Sequence, residues 1–149
     1  MTAAAHSVPA HALPAAVPPF LAADVGGTHV RVARVQASAQ PDHPVQLLEY
    51  RKFRNADYPG LSAILAEFLG TGERPAHCVV ATAGVARRDG TVISANLPWP
   101  VSVADTLTRA GLRSLALIND FEAVAYAIPH VQADTLVPLN GAPDTASRW

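Results

Sequence analysis

The sequence predicts an α/β protein, and three observations lead to that prediction. Half of the 149 residues are apolar and only 15% are charged, which is enough apolar material for a hydrophobic core. After residue 20, apolar and polar residues first alternate as they do in β-strands. Further along, strand-like runs alternate with segments that repeat apolar residues at helical spacing. A strand meander followed by strand–helix alternation is typical of an α/β fold.

Composition and charge exclude several classes of protein. Eleven basic and twelve acidic side chains give a net charge of −1, which argues against a nucleic-acid or membrane-surface binder. A single cysteine, Cys78, excludes an intrachain disulfide and fits a reducing compartment. No apolar run is long enough to span a membrane, and the first basic residue, Arg31, lies too late for a signal peptide. We therefore expect a cytoplasmic protein with no nucleic-acid and no membrane partner.

The first third of the chain predicts an extension and then a meander of three strands. Residues 1–19 are rich in Ala and Pro, which prevents a helix or strand, so we predict a disordered extension. A buried strand then ends at Gly26-Gly27, an alternating strand returns, and a third strand follows a loop. The predicted ranges are 20–25, 28–35 and 45–53 for the strands and 37–44 for the loop.

Strands and helices alternate in the rest of the chain. Apolar residues at helical spacing predict a first helix that ends at Gly70. Ser102 and Asp105 resemble a capping box, which predicts the start of a second helix that ends at Gly111. A third helical stretch is stopped by Pro129. The predicted helical stretches are 61–69, 102–110 and 121–128, and the predicted strands are buried runs at 77–83 and 115–118 with a short return at 91–93.

The first candidate motif is the turn Asp24-Val-Gly-Gly-Thr28, which joins the first two strands. Paired glycines lack the Cβ atoms that keep a backbone away from a ligand, so their N–H groups could bind phosphate oxygens. The Thr28 hydroxyl would add a donor, and Asp24 could hold a hydrated Mg²⁺. A plain hairpin turn is the alternative interpretation of the same residues.

The second motif is Asn119-Asp120, at the junction of a predicted strand and helix. A carboxylate at the end of a strand in an open α/β sheet is placed where such folds bind ligands, and it could accept a proton from a substrate hydroxyl. The alternative is helix capping, because Asn119 with Glu122 three residues later also has the capping-box spacing. Both interpretations hold if Asp120 points outward while Asn119 caps the helix.

The third motif is the loop Asn96-Leu-Pro-Trp99. An amide and an aromatic ring side by side suit a sugar, because the amide can bind hydroxyls and the ring can cover apolar sugar faces. A polar turn held by a buried Trp is the alternative. Cys78 lies in an apolar strand and is predicted to be a core residue.

Four segments in sequence order resemble the bacterial glucokinase family of ATP-dependent hexose kinases, in the actin–hexokinase–heat-shock-70 superfamily. They are LAADVGGTHVRVARV at 21–35, DYPGLSAILAEFL at 57–69, SANLPW at 94–99 and INDFEAVAYAIP at 118–129. The resemblance implies a ribonuclease-H-like (actin-like ATPase) small lobe at 20–130, with a mixed five-stranded sheet and flanking helices. Residues 131–149 would be the start of a truncated large lobe. His29 departs from the family, which usually has Asn after Gly-Gly-Thr.

The resemblance also implies roles for individual residues. Asp120 would be the catalytic base, and Asn96, Asn119 and Asp120 would bind glucose. Mg²⁺ would be held through water by Asp24. The ATP phosphates would lie on the family's first phosphate loop, which corresponds here to Ala23, Asp24, Val25, Gly26, Gly27 and Thr28.

The implied activity is that of a glucokinase, with ATP and glucose as substrates and glucose 6-phosphate, the product of the first step of glycolysis, as product. A homodimer of the full-length protein is compatible with this. One alternative is a catalytically silent fragment, because the chain ends before the family's second phosphate loop and the Glu and His ligands of its sugar pocket. The other is a sugar-sensing regulator on a related fold. Such a regulator would carry a helix-turn-helix in front, which the Ala/Pro-rich residues 1–19 cannot form.

Overall fold

A five-stranded sheet forms the centre of the protein. The computed structural model describes residues 17–40, 43–72, 74–132 and 136–137. The strands are β1 (Phe20–Val25), β2 (His29–Gln40), β3 (His43–Arg54), β4 (His77–Thr82), β5 (Val85–Ala86), β6 (Thr91–Ile93), β7 (Val101–Ser102) and β8 (Ser114–Asn119). The helices are α1 (Leu61–Leu69), α2 (Val103–Ala110) and α3 (Asp120–Ala127). Short 3₁₀ turns follow β3 and α3.

The central sheet is mixed, as the sequence resemblance implied. Its strand order is β3-β2-β1-β4-β8, and β5, β6 and β7 form a separate small sheet. Strand β2 is antiparallel to β1 and β3, whereas β4 is parallel to both β1 and β8. The carboxyl ends of β1, β4 and β8 therefore lie at one edge of the sheet.

The hydrophobic core lies between the sheet and the helices. Alternate residues of β1 and β2 point into it, because successive side chains of a strand face opposite sides. The apolar stripe of α1, predicted from its helical spacing, covers them. The buried cluster includes Leu21 and Val30 from the sheet, Ile64 and Leu65 from α1, and Trp99.

The capping residue and the two terminal glycines that the sequence marked for α1 and α2 are present. The Ser102 hydroxyl caps α2 by accepting a hydrogen bond from the Asp105 N–H at 3.2 Å. Gly111 follows α2 with a φ of 67° and Gly70 follows α1 with a φ of 51°, a conformation that favours glycine. The predictions for the starts and ends of these helices are confirmed.

The predicted loop at 37–44 is wrong. Strand β2 continues to Gln40 and β3 begins at His43, and these two residues pair across the hairpin. Residues 41–42 lie outside the described residues. A hairpin that extends from the sheet keeps its backbone hydrogen bonds even where its side chains are polar and exposed, so side-chain pattern alone understated the length of both strands.

The last strand is less buried than predicted. Leu115 and Leu117 of β8 are half-buried rather than buried. Strand β8 lies at the end of the sheet order, with β4 on one side. An edge strand receives cover from one neighbouring strand, so an apolar sequence is compatible with partial exposure.

Two predicted segments fall largely outside the described residues. Of the predicted extension 1–19, residues 17–19 are described, and of the predicted large-lobe segment 131–149 the described residues are 131–132 and 136–137. The division into these domains stays a prediction. In the described ranges, no helix has the length and apolar character needed to cross a membrane.

Candidate functional site

The sheet register brings two of the three motifs to one edge. Val25 at the end of β1 pairs with Thr82 of β4, and Thr82 pairs with Asn119 of β8. Two strand spacings separate Val25 from Asn119, which is about 10 Å. The Gly26–Thr28 turn leaves this edge directly after Val25, and Asp120 begins α3 directly after Asn119. Residues almost a hundred positions apart in the sequence therefore lie at the same edge of the sheet, with one strand between them.

The Gly26–Thr28 turn is held from one side by Asn55. The Asn55 Nδ2 group donates hydrogen bonds to the carbonyl oxygens of Gly26 and Gly27, at 2.8 and 3.0 Å. The Asn55 backbone N–H donates to the Thr28 carbonyl at 2.9 Å. The carbonyl and N–H of a trans peptide point in opposite directions, and no described peptide bond is cis. The N–H groups of Gly27 and Thr28 therefore point away from Asn55.

The third N–H group of the turn, that of Gly26, already donates a hydrogen bond within the protein. Gly26 donates its backbone hydrogen to the His29 carbonyl at 3.0 Å, which closes the turn. Gly27 and Thr28 are both exposed. The turn is thus a hairpin connection, as the alternative interpretation had it, and it also presents two adjacent outward donors that could bind an anion.

The third motif packs against the same turn. A Cβ atom added to Gly27 would lie 3.1 Å from both the Cβ and the backbone oxygen of Asn96. The absent side chain at Gly27 thus makes room for Asn96, and the binding of phosphate by the Gly27 N–H group stays a prediction. An open depression of about 390 Å³ lies here, lined by residues that include Thr28, Arg54 and Asn96.

Trp99 is an anchor of the Asn96 loop. Its ring is buried, with 8% of the residue exposed, and its Nε1–H donates to the Asn55 carbonyl at 3.3 Å. The alternative of a turn held by a buried Trp is confirmed. The expectation that this ring covers a sugar face is wrong, because core residues already cover it. Asn96 itself is exposed beside the depression.

Asn119 caps α3. Its Oδ1 accepts hydrogen bonds from the N–H groups of Phe121 and Glu122, at 2.9 and 3.4 Å. The capping interpretation is confirmed, and the Nδ2 end of the amide makes no hydrogen bond within the described part of the chain. Asp120 is half-buried, and its Oδ1 accepts from the Phe121 N–H at 3.0 Å. The cap and an outward-facing Asp120 are compatible, since the two roles use different atoms.

The Asp24 carboxylate lies on the exposed face of the hairpin. Its Oδ2 is 2.9 Å from Nη1 of Arg31, its cross-strand partner, and both side chains are about half exposed. The neighbouring Ala23 and Val25 side chains are buried, so these two residues can contribute only backbone atoms to a ligand site. Within the described ranges, no group of three or more His, Cys, Asp or Glu side chains could hold a metal ion. A Mg²⁺ at Asp24 would therefore take its other ligands from water and phosphate, which is its usual preference, and Oδ1 would remain for it.

Three cationic side chains and His29 lie around the start of β2. His29 pairs with Arg54 and Arg31 pairs with Lys52 across the hairpin, so all four side chains share a face. Partial desolvation, and then the nearby charges of Lys52, Arg31 and Arg54, lower the pKa of His29. This face is electropositive and adjoins the two outward N–H groups of the turn.

Sequence analysis did not find Asn55 or Arg54. Arg54 is the last residue of β3, and Asn55 begins a short polar stretch that has the composition of an ordinary turn. The hydrogen-bond partners of the Asn55 side chain are 28 and 29 positions away. Periodicity and local motifs carry no signal for such a contact. Cys78, by contrast, is buried as predicted, and burial raises the pKa of its thiol to about 12.

Comparisons with known proteins agree with this architecture. The family model described as Glucokinase matches residues 21–148. A glucokinase-like protein of Xylella fastidiosa (strain 9a5c) is 51% identical over 125 residues, covering 84% of this chain and 37% of the relative. A glucokinase of Paramagnetospirillum magneticum is 37% identical and covers 81% and 36%. The chain thus spans little more than a third of the length of the curated relatives it matches.

Solved structures share the fold. The crystal structure of a glucokinase from an Antarctic psychrotroph is 31% identical, with a TM-score of 0.68 over 78% of this chain and 36% of the other. A ROK hexokinase from Thermus thermophilus, 22% identical, has a TM-score of 0.59 over 76% of this chain and 39% of the other. The predicted actin-like ATPase fold is confirmed.

Proposed function

The chain belongs to the glucokinase family, and from that premise we propose that it supplies one wall of the active site of a hexose kinase. The reaction would transfer the γ-phosphoryl group of ATP to the 6-hydroxyl of glucose. The observation that carries this proposal is the register Val25–Thr82–Asn119, which sets the last residues of β1 and β8 about 10 Å apart, so that the Gly26–Thr28 turn and α3 leave the same edge of the sheet. In this proposal the terminal phosphate would lie at the turn and the sugar hydroxyl at the start of α3.

The phosphate-donor side would be the segment from Ala23 to Thr28. Phosphoryl transfer needs positioning and neutralisation of phosphate charge more than covalent chemistry. The N–H groups of Gly27 and Thr28 would bind phosphate oxygens, and the Thr28 hydroxyl would add a third donor. Gly26 would close the turn, and Ala23 and Val25 would hold it to the sheet. Mg²⁺ would be held through water by Asp24 and would screen the phosphate charge.

The acceptor side would be formed by Asp120, Asn119 and Asn96. Asp120 is fixed at the first position of α3 by its contact with the Phe121 N–H, so its second oxygen could take the proton from the sugar 6-hydroxyl. The Nδ2 group of Asn119 would donate to a sugar hydroxyl while its Oδ1 remains on the helix. Asn96, which lines the depression beside the turn, would bind another hydroxyl.

The site of action we propose is the cytoplasm, which supplies ATP and glucose together. A single buried cysteine fits that compartment. Glucose and ATP are the proposed small-molecule partners. A homodimer of the full-length protein is compatible with the proposal.

The test replaces Asp120 in an enzyme that can turn over. The parent is a chimera in which this chain replaces the matching part of the Paramagnetospirillum magneticum glucokinase. Asp120→Asn keeps the size and the hydrogen bond to Phe121 but cannot accept a proton. We expect kcat to fall roughly a hundredfold to ten-thousandfold, with a smaller change in glucose affinity.

Glu122→Gln is the matched control, because it makes the same carboxylate-to-amide change two residues later on an exposed side chain. We expect it to keep parental kcat. A folded Asp120→Asn protein with parental kcat would remove Asp120 from the chemistry. A folded parental chimera without turnover would contradict the proposed function of the chain.

A further inference from the structure

We propose that Asn55 is a positioning residue of the phosphate-donor site, an inference that rests on the function proposed above. Its side-chain amide holds the Gly26–Gly27 and Gly27–Thr28 peptide groups in the one orientation that turns both N–H groups toward the donor. Asn55 does not touch the phosphates, because it lies on the opposite side of the turn. Its effect on binding would be exerted through the backbone of Gly27 and Thr28.

The hydrogen-bond pattern requires an amide at position 55. Two carbonyl oxygens face the side chain, so only its Nδ2 end can lie against them, and an amide nitrogen has two hydrogens for the two acceptors. An Asp would turn an oxygen toward these carbonyl groups. Free peptide groups at a glycine pair can rotate, because glycine is conformationally permissive, so a specific clamp is needed to fix them.

Stability alone does not account for this side chain. Asn55 is 2% exposed, and its Oδ1 is buried without a hydrogen-bond partner among the described residues. A buried polar atom that is left without a hydrogen bond destabilises the folded protein. Asn55 thus keeps an unpaired Oδ1 in the core while its Nδ2 group holds the turn.

Asn55 also links the donor turn to the Asn96 loop. Its backbone carbonyl accepts the Trp99 Nε1–H at 3.3 Å, and its backbone N–H binds the Thr28 carbonyl at 2.9 Å. The turn and the loop that packs on Gly27 are therefore held by the same residue. Its side chain sets the orientation of the donor N–H groups, and its backbone sets their distance from Asn96.

The experiment follows the backbone amide signals of Gly27 and Thr28 by NMR in the glucokinase chimera described above, with glycine and threonine selectively labelled. Inorganic tripolyphosphate and ATP are the two probes. In the parent we expect both amide signals to shift on titration. In Asn55→Ala we expect the affinity for tripolyphosphate to fall about tenfold or more, since the two amides lose their common direction. Asn55→Ser keeps one donor for two carbonyl groups and should give an intermediate affinity.

Ser62→Ala is the structural control. The Ser62 hydroxyl is buried and donates to Asp105 at 2.6 Å, between α1 and α2. Its loss should lower the melting temperature and leave the tripolyphosphate affinity at the parental value. A fall in affinity shared by Ser62→Ala would show a merely structural effect and overturn the inference.

The remaining outcomes separate the inference from the proposed function. A parent whose Gly27 and Thr28 signals do not respond to either probe would contradict the phosphate assignment, and the inference with it. A parent that responds, with Asn55→Ala responding equally, would overturn the inference and leave the phosphate assignment intact. If Asn55→Ala does not fold, Asn55→Ser decides, and parental affinity in that variant would overturn the inference.

Discussion

The structure alters the expected effect of a substitution at Gly27 on ligand binding. A Cβ atom there would meet Asn96 at 3.1 Å, closer than most real Cβ contacts. Gly27→Ala should therefore displace the Asn96 loop and weaken the binding of glucose and ATP together. If the space at Gly27 served only the phosphates, the same variant would lose nucleotide binding and keep sugar binding nearly unchanged. Titration of the glucokinase chimera with each ligand distinguishes the two expectations.

Gly60→Ala is the matched control for Gly27→Ala. A Cβ atom at Gly60 would have no neighbour within 4 Å. We expect this variant to bind both ligands as the parent does, with unchanged or slightly raised stability, because alanine restricts the unfolded chain. Loss of ATP affinity in Gly27→Ala with parental glucose affinity would show that the contact with Asn96 is unimportant for the sugar.

Residues whose role is set by their neighbours in sequence were predictable. The Asn119 cap and the Ser102 cap depend on partners two or three positions away, and both follow from local pattern. Asn55 depends on Gly26 and Gly27, which lie in another strand connection, and no local rule identifies it. The motifs therefore gave the candidate site residues, and the residue that holds one of them required the tertiary structure.

At the scale of elements, substitutions of Asn119 can distinguish its capping of α3 from its proposed contact with the sugar. Asn119→Asp keeps an oxygen that can cap the helix but removes the amide that would donate to a sugar hydroxyl. We expect it to retain the parental melting temperature and to lose glucose affinity. Asn119→Ala should lose both, with about 1 kcal/mol of stability for the cap. Thermal melts and glucose titrations of the same chimera provide the measurement, and parental glucose affinity in Asn119→Asp would exclude the sugar contact.

Elements with a complete local signature were predicted well, and those defined by pairing were not. The apolar stripe of α1 and the cap and terminal glycine of α2 fix those helices within a residue or two. The length of the β2–β3 hairpin depends on cross-strand hydrogen bonds between polar residues, and the exposure of β8 depends on its place at the edge of the sheet. Neither property can be predicted from the side-chain periodicity of a single segment.

At the scale of the whole molecule, several large apolar side chains are exposed. Phe121 and Tyr126 of α3 are 81% and 70% exposed, and Leu47 of β3 is 62% exposed. We expect the 149-residue chain by itself to self-associate through such surfaces. We also expect it to make no measurable glucose 6-phosphate, because the residues it contains form one wall of the proposed site.

Sedimentation at several concentrations and a coupled assay at saturating ATP and glucose test both expectations. Phe121→Glu should reduce the association, since it places a charge on the exposed side of α3 and an acidic residue in its first turn. Tyr50→Phe is the control, because it changes an exposed side chain without adding charge. A monomer at every concentration, or turnover clearly above a blank without protein, would contradict the respective expectation.

The place of β1 in the sheet has a consequence for the order in which the chain folds. The β1–β2 hairpin joins neighbours in sequence, so the Gly26–Thr28 turn can close within microseconds. Strand β4 pairs with β1 only after the chain has passed through β3 and α1, and β8 pairs with β4 only after α2; such long-range parallel pairing is slow. The turn should therefore exist early, whereas its alignment with Asn119 is completed late. During synthesis, this wall of the proposed site would then be completed abruptly, when β8 docks on β4.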